Sequence, residues 1–448
     1  MTAIRRVIAC DFTAILLGFS IILSSGCSHE PTASTSGAIA VTVATAGANS
    51  DLDLDLDGYT LSVDSGPAQA VWVNATVTIG DLPTGSRLVR LDGVASNCAV
   101  DGTNPRTVNV AFGVTAEVVF TIRCQPQASL GPRAFIWTRE TGMIALPLLP
   151  GATNGDASAI NDLGQVVGTV SIGQSEHAFV WTLADGMVDI GGLSGAVRSY
   201  ATAINNAGQV AGYSVDASGH ARAFRWSPSE GMIALGVLPG TVSSYARSIN
   251  GSGQVVGETE GTLPGRRPFR WTPDKGMEDL GSFGTDPDVG ATAVNNSGDI
   301  VGSSGDGNYY GILRAVLWSA NGGKRVLDDC ARGASSFYGC YASANAINGA
   351  GQIAGSSEAN GPSHAFLWTV AGAAQDLGTI PGTNLSYAHA INETGQVVGN
   401  SAGGAFPYGH AFLWSESGGM VDLGVLLGKA SSSATGINKS GQVVGTSQ

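Results

Sequence analysis

Apolar and polar residues alternate in short runs along nearly the whole chain, and Gly, Asp, Asn and Pro interrupt the runs at short intervals. A period of two over about four to eight residues is the pattern of a β-strand with one buried face. Between residues 38 and 125 the runs AIAVTVA, YTLSVD, AVWVNATVTI, RLVRL, RTVNVAF and AEVVFTI predict a β-sandwich of short strands. Residues 126–132 (PQASLGP) read as a linker.

From residue 133 to 448 the pattern repeats. An aromatic motif recurs as RAFIW, HAFVW, RAFRW, RPFRW, RAVLW, HAFLW and HAFLW. A turn motif follows each, as INDLGQVVG and its variants, with its Asn at Asn161, Asn205, Asn250, Asn295, Asn348, Asn392 and Asn438. From each Trp to the next of these Asn is 24 residues, except 30 from Trp318 to Asn348. A period of about 45 residues built from strand-like units predicts a β-propeller. Each unit offers four strands, in the second repeat HAFVW, GMVDI, the run ending SYATAIN, and GQVAGYS. In HAFVW a period of two sets His177, Phe179 and Trp181 on one face, with Ala178 and Val180 on the other. The Asn side chain is suited to cap the turn, and the Gly three residues on to take a positive φ.

The first unit lacks an upstream turn motif and the last lacks a downstream aromatic motif. If the boundary between blades falls after GMxDLG, first and last segments share one blade and clasp the ring; if it falls elsewhere, complete blades still result. Either way the expected fold is all-β, a seven-bladed β-propeller preceded by a small immunoglobulin-like β-sandwich. An open solenoid is the alternative. The motifs resemble the HAF repeat family, named for its His-Ala-Phe segment and predicted to be extracellular. The resemblance covers 133–448 and implies no particular activity.

The N-terminus changes the picture of where the chain goes. Arg5 and Arg6 precede an apolar run, FTAILLGFSIIL (12–23), of signal-peptide length. The LSSGC that follows ends at Cys27 and resembles a bacterial lipobox, implying removal of 1–26 and lipidation of Cys27. Ser24 stands where that pattern has Leu, so ordinary signal cleavage stays open. Ser28 after the Cys implies the outer membrane or cell surface, with a periplasmic face also open. Residues 27–37 then form a lipidated tether, the chain's only membrane attachment. Export makes disulfides the expected use of the pairs Cys98/Cys124 and Cys330/Cys340, with zinc as the weaker reading.

The 448 residues carry a formal charge of −13 and 65 glycines. An acidic balance argues against nucleic acid as a partner, because phosphate backbones demand basic patches. The run DLDLDLDG places Asp53, Asp55, Asp57 and Gly58 in D-x-D-x-D-G, with Asp64 at the twelfth position, a spacing that can hold Ca²⁺. An acidic solvated loop is the alternative, and no other cofactor is expected.

Each aromatic motif opens near a cation: Arg133, His177, Arg222, Arg267, Arg314, His364 and His410. A position filled alike in every repeat reads as structural, as do the tyrosines of SYA (Tyr200, Tyr245, Tyr387) and of CYA (Tyr341). Chemistry is expected where the symmetry breaks. The largest break is the lengthened segment before Asn348, with Asp306, Tyr309 and Tyr310 upstream and Phe337, Tyr338 and Tyr341 near Cys330 and Cys340. Rings and carboxylates on neighbouring loops suit carbohydrate or peptide binding. Asp328 and Asp329 are adjacent on a strand and point to opposite faces, so they cannot act as a glycosidase pair. No nucleophile-elbow, metalloprotease or phosphate-loop motif is present. The expectation is therefore a monomeric, non-catalytic surface protein that recognises polysaccharide or protein through its loops. An envelope-assembly scaffold that docks surface or envelope proteins, and a propeller glycan lyase or hydrolase, are the alternatives. A carboxylate cluster lining the central channel would favour the enzyme.

Overall fold

A computed structural model describes residues 36–47, 59–72, 74–94, 98–124, 131–261, 265–307, 312–328, 340–359 and 361–448. Every regular element among them is a β-strand. None is a helix long and apolar enough to cross a membrane. The predicted signal segment, Cys27, and Asp53, Asp55 and Asp57 of the acidic run lie outside the described residues.

The first region holds two four-stranded sheets. One carries Ser36–Gly47 at its centre, parallel to Thr115–Cys124; the other carries Tyr59–Val63 against Gly85–Asp92. Alternate residues turn inward, so Ile39, Val41, Leu61, Leu91, Phe120 and Ile122 form one core between the sheets. Cys98 is disulfide-bonded, and strand register sets it opposite Cys124.

The repeat region is β-propeller-like. Each unit is a four-stranded antiparallel sheet, as in Ala152–Ile160, Val166–Ile172, Ser175–Thr182 and Gly186–Gly191. The strand leading to each Asn is innermost, GQVVG comes second, and the next aromatic motif third. Of the two boundaries the sequence leaves open, the one after GMxDLG is found: Arg133–Thr138 and Gly142–Ala145 complete the sheet of Ser432–Ile437 and Val443–Ser447. Two sheets are also linked, where Ile312–Trp318 runs briefly parallel to Cys340–Ile347.

Neighbouring sheets interlock large on small. Phe179 and Trp181 pack into Ala134 and Val444 of the preceding sheet, while Ala178 and Val167 receive Phe224 of the next. The recurring Met187, Met232, Met277 and Met420 fill gaps beside these clusters. The last Gly of GQVVG exists for this packing. A Cβ on Gly212 would lie 2.6 Å from Phe224 Cζ and closer still to the Tyr200 carbonyl.

The inner strands end in a closed circle. Asn161 Nδ2 donates to the Asn205 carbonyl, and Asn205 in the same way to Asn250, then to Asn295, Asn348, Asn392 and Asn438, which donates back to Asn161. Each Asn also caps its own turn. Asn205 Oδ1 accepts the N–H groups of Ala207 and Gln209, and Gly208 takes a φ of 74°. One residue type thus serves the turn and the ring together.

Candidate active site on the inner strands

The positions filled alike prove to be fold devices. His177, His364 and His410 pair through Nδ1 with Asp189, Asp376 and Asp422 at 2.8, 3.0 and 3.0 Å, and Arg267 pairs with Asp279. The same aspartates accept the N–H two residues on, so each fixes its own turn. Arg314 pairs with Asp286 instead, and Arg222 donates to the Val242 carbonyl.

Three residues before each Asn the inner strands carry Ser158, Thr202, Arg247, Thr292, Asn345, His389 and Thr435. Five of these staple the next inner strand through its carbonyl: Thr202 to Ala246, Thr292 to Ala344, Asn345 to Ala388, His389 to Ala434 and Thr435 to Ala157. Arg247 departs from the pattern. It donates to Glu258 on the adjacent strand, with Nε at 2.8 Å.

Two residues earlier stand Asp156, Tyr200, Tyr245, Gly290, Ser343, Tyr387 and Ser433. Here the first three repeats carry acid and phenols where later ones carry mostly small residues. Tyr200 stacks on Tyr213 at 4.8 Å, and Tyr213 meets Tyr245 edge-on at 5.0 Å. The Arg247 guanidinium lies 5.8 Å from the centre of the Tyr245 ring. Glu258 is only 2% exposed. Beyond it, Arg266 grips Asp288 with two hydrogen bonds, 2.6 and 3.0 Å. On the inner strands the cluster sits three to seven residues before the Asn circle, roughly 10–23 Å along the strands from it.

The electrostatics follow from this crowding. Burial raises the Tyr200, Tyr213 and Tyr245 pKa values, with the charge of Glu260 adding to the effect at Tyr245. These phenols therefore stay protonated at neutral pH. Desolvation would raise the Asp288 carboxyl, but the Arg266 hydrogen bonds and charge outweigh it and lower it. At Arg247 burial opposes the charge, and Glu258 more than compensates. Asp156 is exposed, yet desolvation raises its pKa, a hydrogen bond with Thr446 opposes this, and the Glu176 charge adds a smaller upward push. His389 is partly exposed, and burial lowers its pKa against the smaller opposing effect of the Ala434 carbonyl.

At the other mouth, a cavity of about 200 Å³ is lined by the Asn circle and its flanking residues, Ile204 and Ile249 among them. Its polar groups are committed to one another: Asp162 accepts from Asn206 and from the Lys439 N–H.

Most residues expected to carry function fall elsewhere. Tyr309, Tyr310, Cys330, Phe337 and Tyr338 lie outside the described residues, as does the side chain of Cys340. Asp306 is exposed, and Tyr341 is 40% exposed with its N–H donated to Glu358. Asp64 has both carboxylate oxygens engaged, one by Arg87 and one by the Leu88 N–H, and these lower its pKa, the backbone bond most. No group of three His, Cys, Asp or Glu suited to a metal occurs among the described residues. Tyr200 and Tyr245, read from the sequence as packing residues, are partly exposed members of the polar cluster. The missed residues, Asp156, Tyr213, Arg247, Glu258, Arg266, Asp288 and His389, were visible as departures once the repeats are set in columns.

No family model and no curated protein matches this chain. Among solved structures it is similar to virginiamycin B lyase from Staphylococcus aureus, at 9% identity and a TM-score of 0.42, over 71% of this chain and 99% of that one. It is similar to an oligogalacturonate lyase in complex with manganese, at 9% identity and a TM-score of 0.44, over 72% of this chain and 98% of that one. It is also similar to TolB from Acinetobacter baumannii, at 10% identity and a TM-score of 0.36, over 55% and 63%. At these identities the likeness is one of fold alone. The expectation of a non-catalytic recognition protein is nevertheless corrected. The solved structures to which the chain is similar include lyases. The loop aromatics that carried the expectation lie largely outside the described residues, whereas charges and phenols gather on the inner strands.

Proposed function

We propose that the chain is an exported enzyme that cleaves glycan chains containing acidic sugars by elimination. Its scaffold in this reading is a seven-bladed propeller of HAF-type repeats behind an immunoglobulin-like sandwich, tethered through a lipidated Cys27. The observation that carries the reading is the one-sided cluster of Tyr245, Arg247 and Glu258, in which Arg247 stands where five equivalent inner-strand residues staple the next strand. Elimination from a uronate needs a cation against the sugar carboxylate, a base for the adjacent proton and an acid for the leaving oxygen. Arg247 has donors beyond those spent on Glu258, and a guanidinium suits a carboxylate. Tyr245, held protonated, supplies the acid. Tyr200 and Tyr213 offer ring faces to sugars.

A second reading is hydrolysis, favoured by Asp156 beside Glu176. A carboxyl raised by burial and by a neighbouring carboxylate is the pattern of a general acid with its partner. The test is incubation of the solubilised full-length protein with polygalacturonate, alginate and hyaluronan. Elimination leaves a conjugated double bond that absorbs in the ultraviolet; hydrolysis leaves reducing ends without it. Under the lyase reading Tyr245→Phe and Arg247→Lys lose ultraviolet product while keeping the fold. Reducing ends alone, lost in Asp156→Asn, would transfer the assignment to hydrolysis. Intact polymers throughout would sink both.

A further inference from the structure

The staple ring contains one member whose chemistry exceeds its structural task. Thr202, Thr292, Asn345 and Thr435 each spend a hydroxyl or amide on the next strand's carbonyl. His389 does the same with Nδ1, 2.9 Å from the Ala434 oxygen. A carbonyl only accepts, so Nδ1 carries the proton and the lone pair resides on Nε2. Ser433 Oγ also approaches Nδ1, at 3.4 Å, which leaves Nε2 with no protein partner among the described residues. His389 is a partly exposed residue on the inner strand Leu385–Ile391, flanked by Cys340–Ile347 and Ser432–Ile437. Arg247 lies three places away round a circle of seven, almost diametrically across.

We infer that His389 supplies the base for the elimination, acting through Nε2 from the wall opposite Arg247; this rests on the lyase reading above. Nε2 takes the hydrogen from the carbon that bears the carboxylate. The released pair forms a double bond to the neighbouring carbon, whose bond to the glycosidic oxygen breaks, and that oxygen takes the Tyr245 proton. The enzyme is left as imidazolium and phenolate, and water returns the proton from one to the other. The backbone hydrogen bond fixes both tautomer and ring orientation, as general-base catalysis requires.

The fold provides its own controls. Asn345 and three threonines perform the same stapling, so His389→Asn and His389→Thr retain the inter-strand bond while removing the base. Both are expected to melt near the parent temperature and to lose roughly 10²–10⁴-fold in elimination rate on polyuronates. His389→Ala, with space left beside the channel, is expected to regain part of the rate when free imidazole is added. A His389→Asn protein that turns over at the parent rate would overturn the assignment while leaving the lyase reading in place. A parent protein with no ultraviolet product on any of the three polymers would overturn the lyase reading, and this inference with it.

Discussion

The two ends of the channel obey opposite rules. At the Asn circle every repeat makes the same two bonds, one to its own turn and one to its neighbour. At the other end the same strands carry acid, phenol, guanidinium, glycine and serine at equivalent positions. A residue repeated in every unit answers a demand that every unit makes, which is closure. A residue found once answers something the fold does not ask for. Arg247 shows this plainly, because it abandons a bond that five equivalents make.

Breaking the closed end should cost the most. Removing residues 438–448 deletes the last link of the circle and the strand Val443–Ser447 that joins the chain's end to Arg133–Thr138. The expected result is loss of a cooperative thermal transition in the repeat region. Phe224→Ala empties a site that is 0% exposed and should cost about 3–5 kcal/mol, read by denaturant unfolding. Asn205→Ala leaves the Asn250 carbonyl and two turn N–H groups without their partner and should cost roughly 1–3 kcal/mol. If the comparison holds, the same change at Asn392 costs about as much.

At the other end, stability should respond to charge balance rather than to packing. Arg247→Met strands the buried Glu258 and destabilises; the double change with Glu258→Met should restore the parent stability or exceed it by up to about 4 kcal/mol. Failure of the double change to recover would mean that the pair holds the fold. The smallest effects are those of pH. Asp288 has a folded pKa below its ordinary 3.8, so its contribution is present above that value and lost as pH falls through the folded pKa. Asp288→Asn should flatten that acid limb. Asp156 has a raised folded pKa, so its ionisation opposes folding as pH rises toward neutral. Asp156→Asn should therefore melt slightly higher at neutral pH, a sign of a residue kept for chemistry.

Much of this was legible in the chain. The Asn of the turn motif, the Gly three residues later and the alternation of HAFVW each state a local requirement, and local requirements repeat visibly. For His177, Arg267, His364 and His410 the structural reading of the cation agrees with the ion pairs found, though the partner, the Asp twelve residues on, is not evident from the motif. Repeat spacing points to the longest insertion and away from the cluster. Length marks where a loop departs, whereas a substitution inside a strand leaves spacing untouched. Comparing Arg247 and His389 with Thr202 and Thr292 in one column would have exposed both.

The sequence by itself determined the repeat, the strand composition of each unit and the large-on-small packing between units, because these depend on side-chain period and size within about 45 residues. Only the tertiary structure decided the rest. It brought Arg133–Thr138 to the chain's last strand, joined Asn438 to Asn161, and set His389 across from Arg247. Those relations depend on how much each sheet turns relative to the next around the axis. That angle is a sum over all the packed faces, and no single segment of sequence contains it.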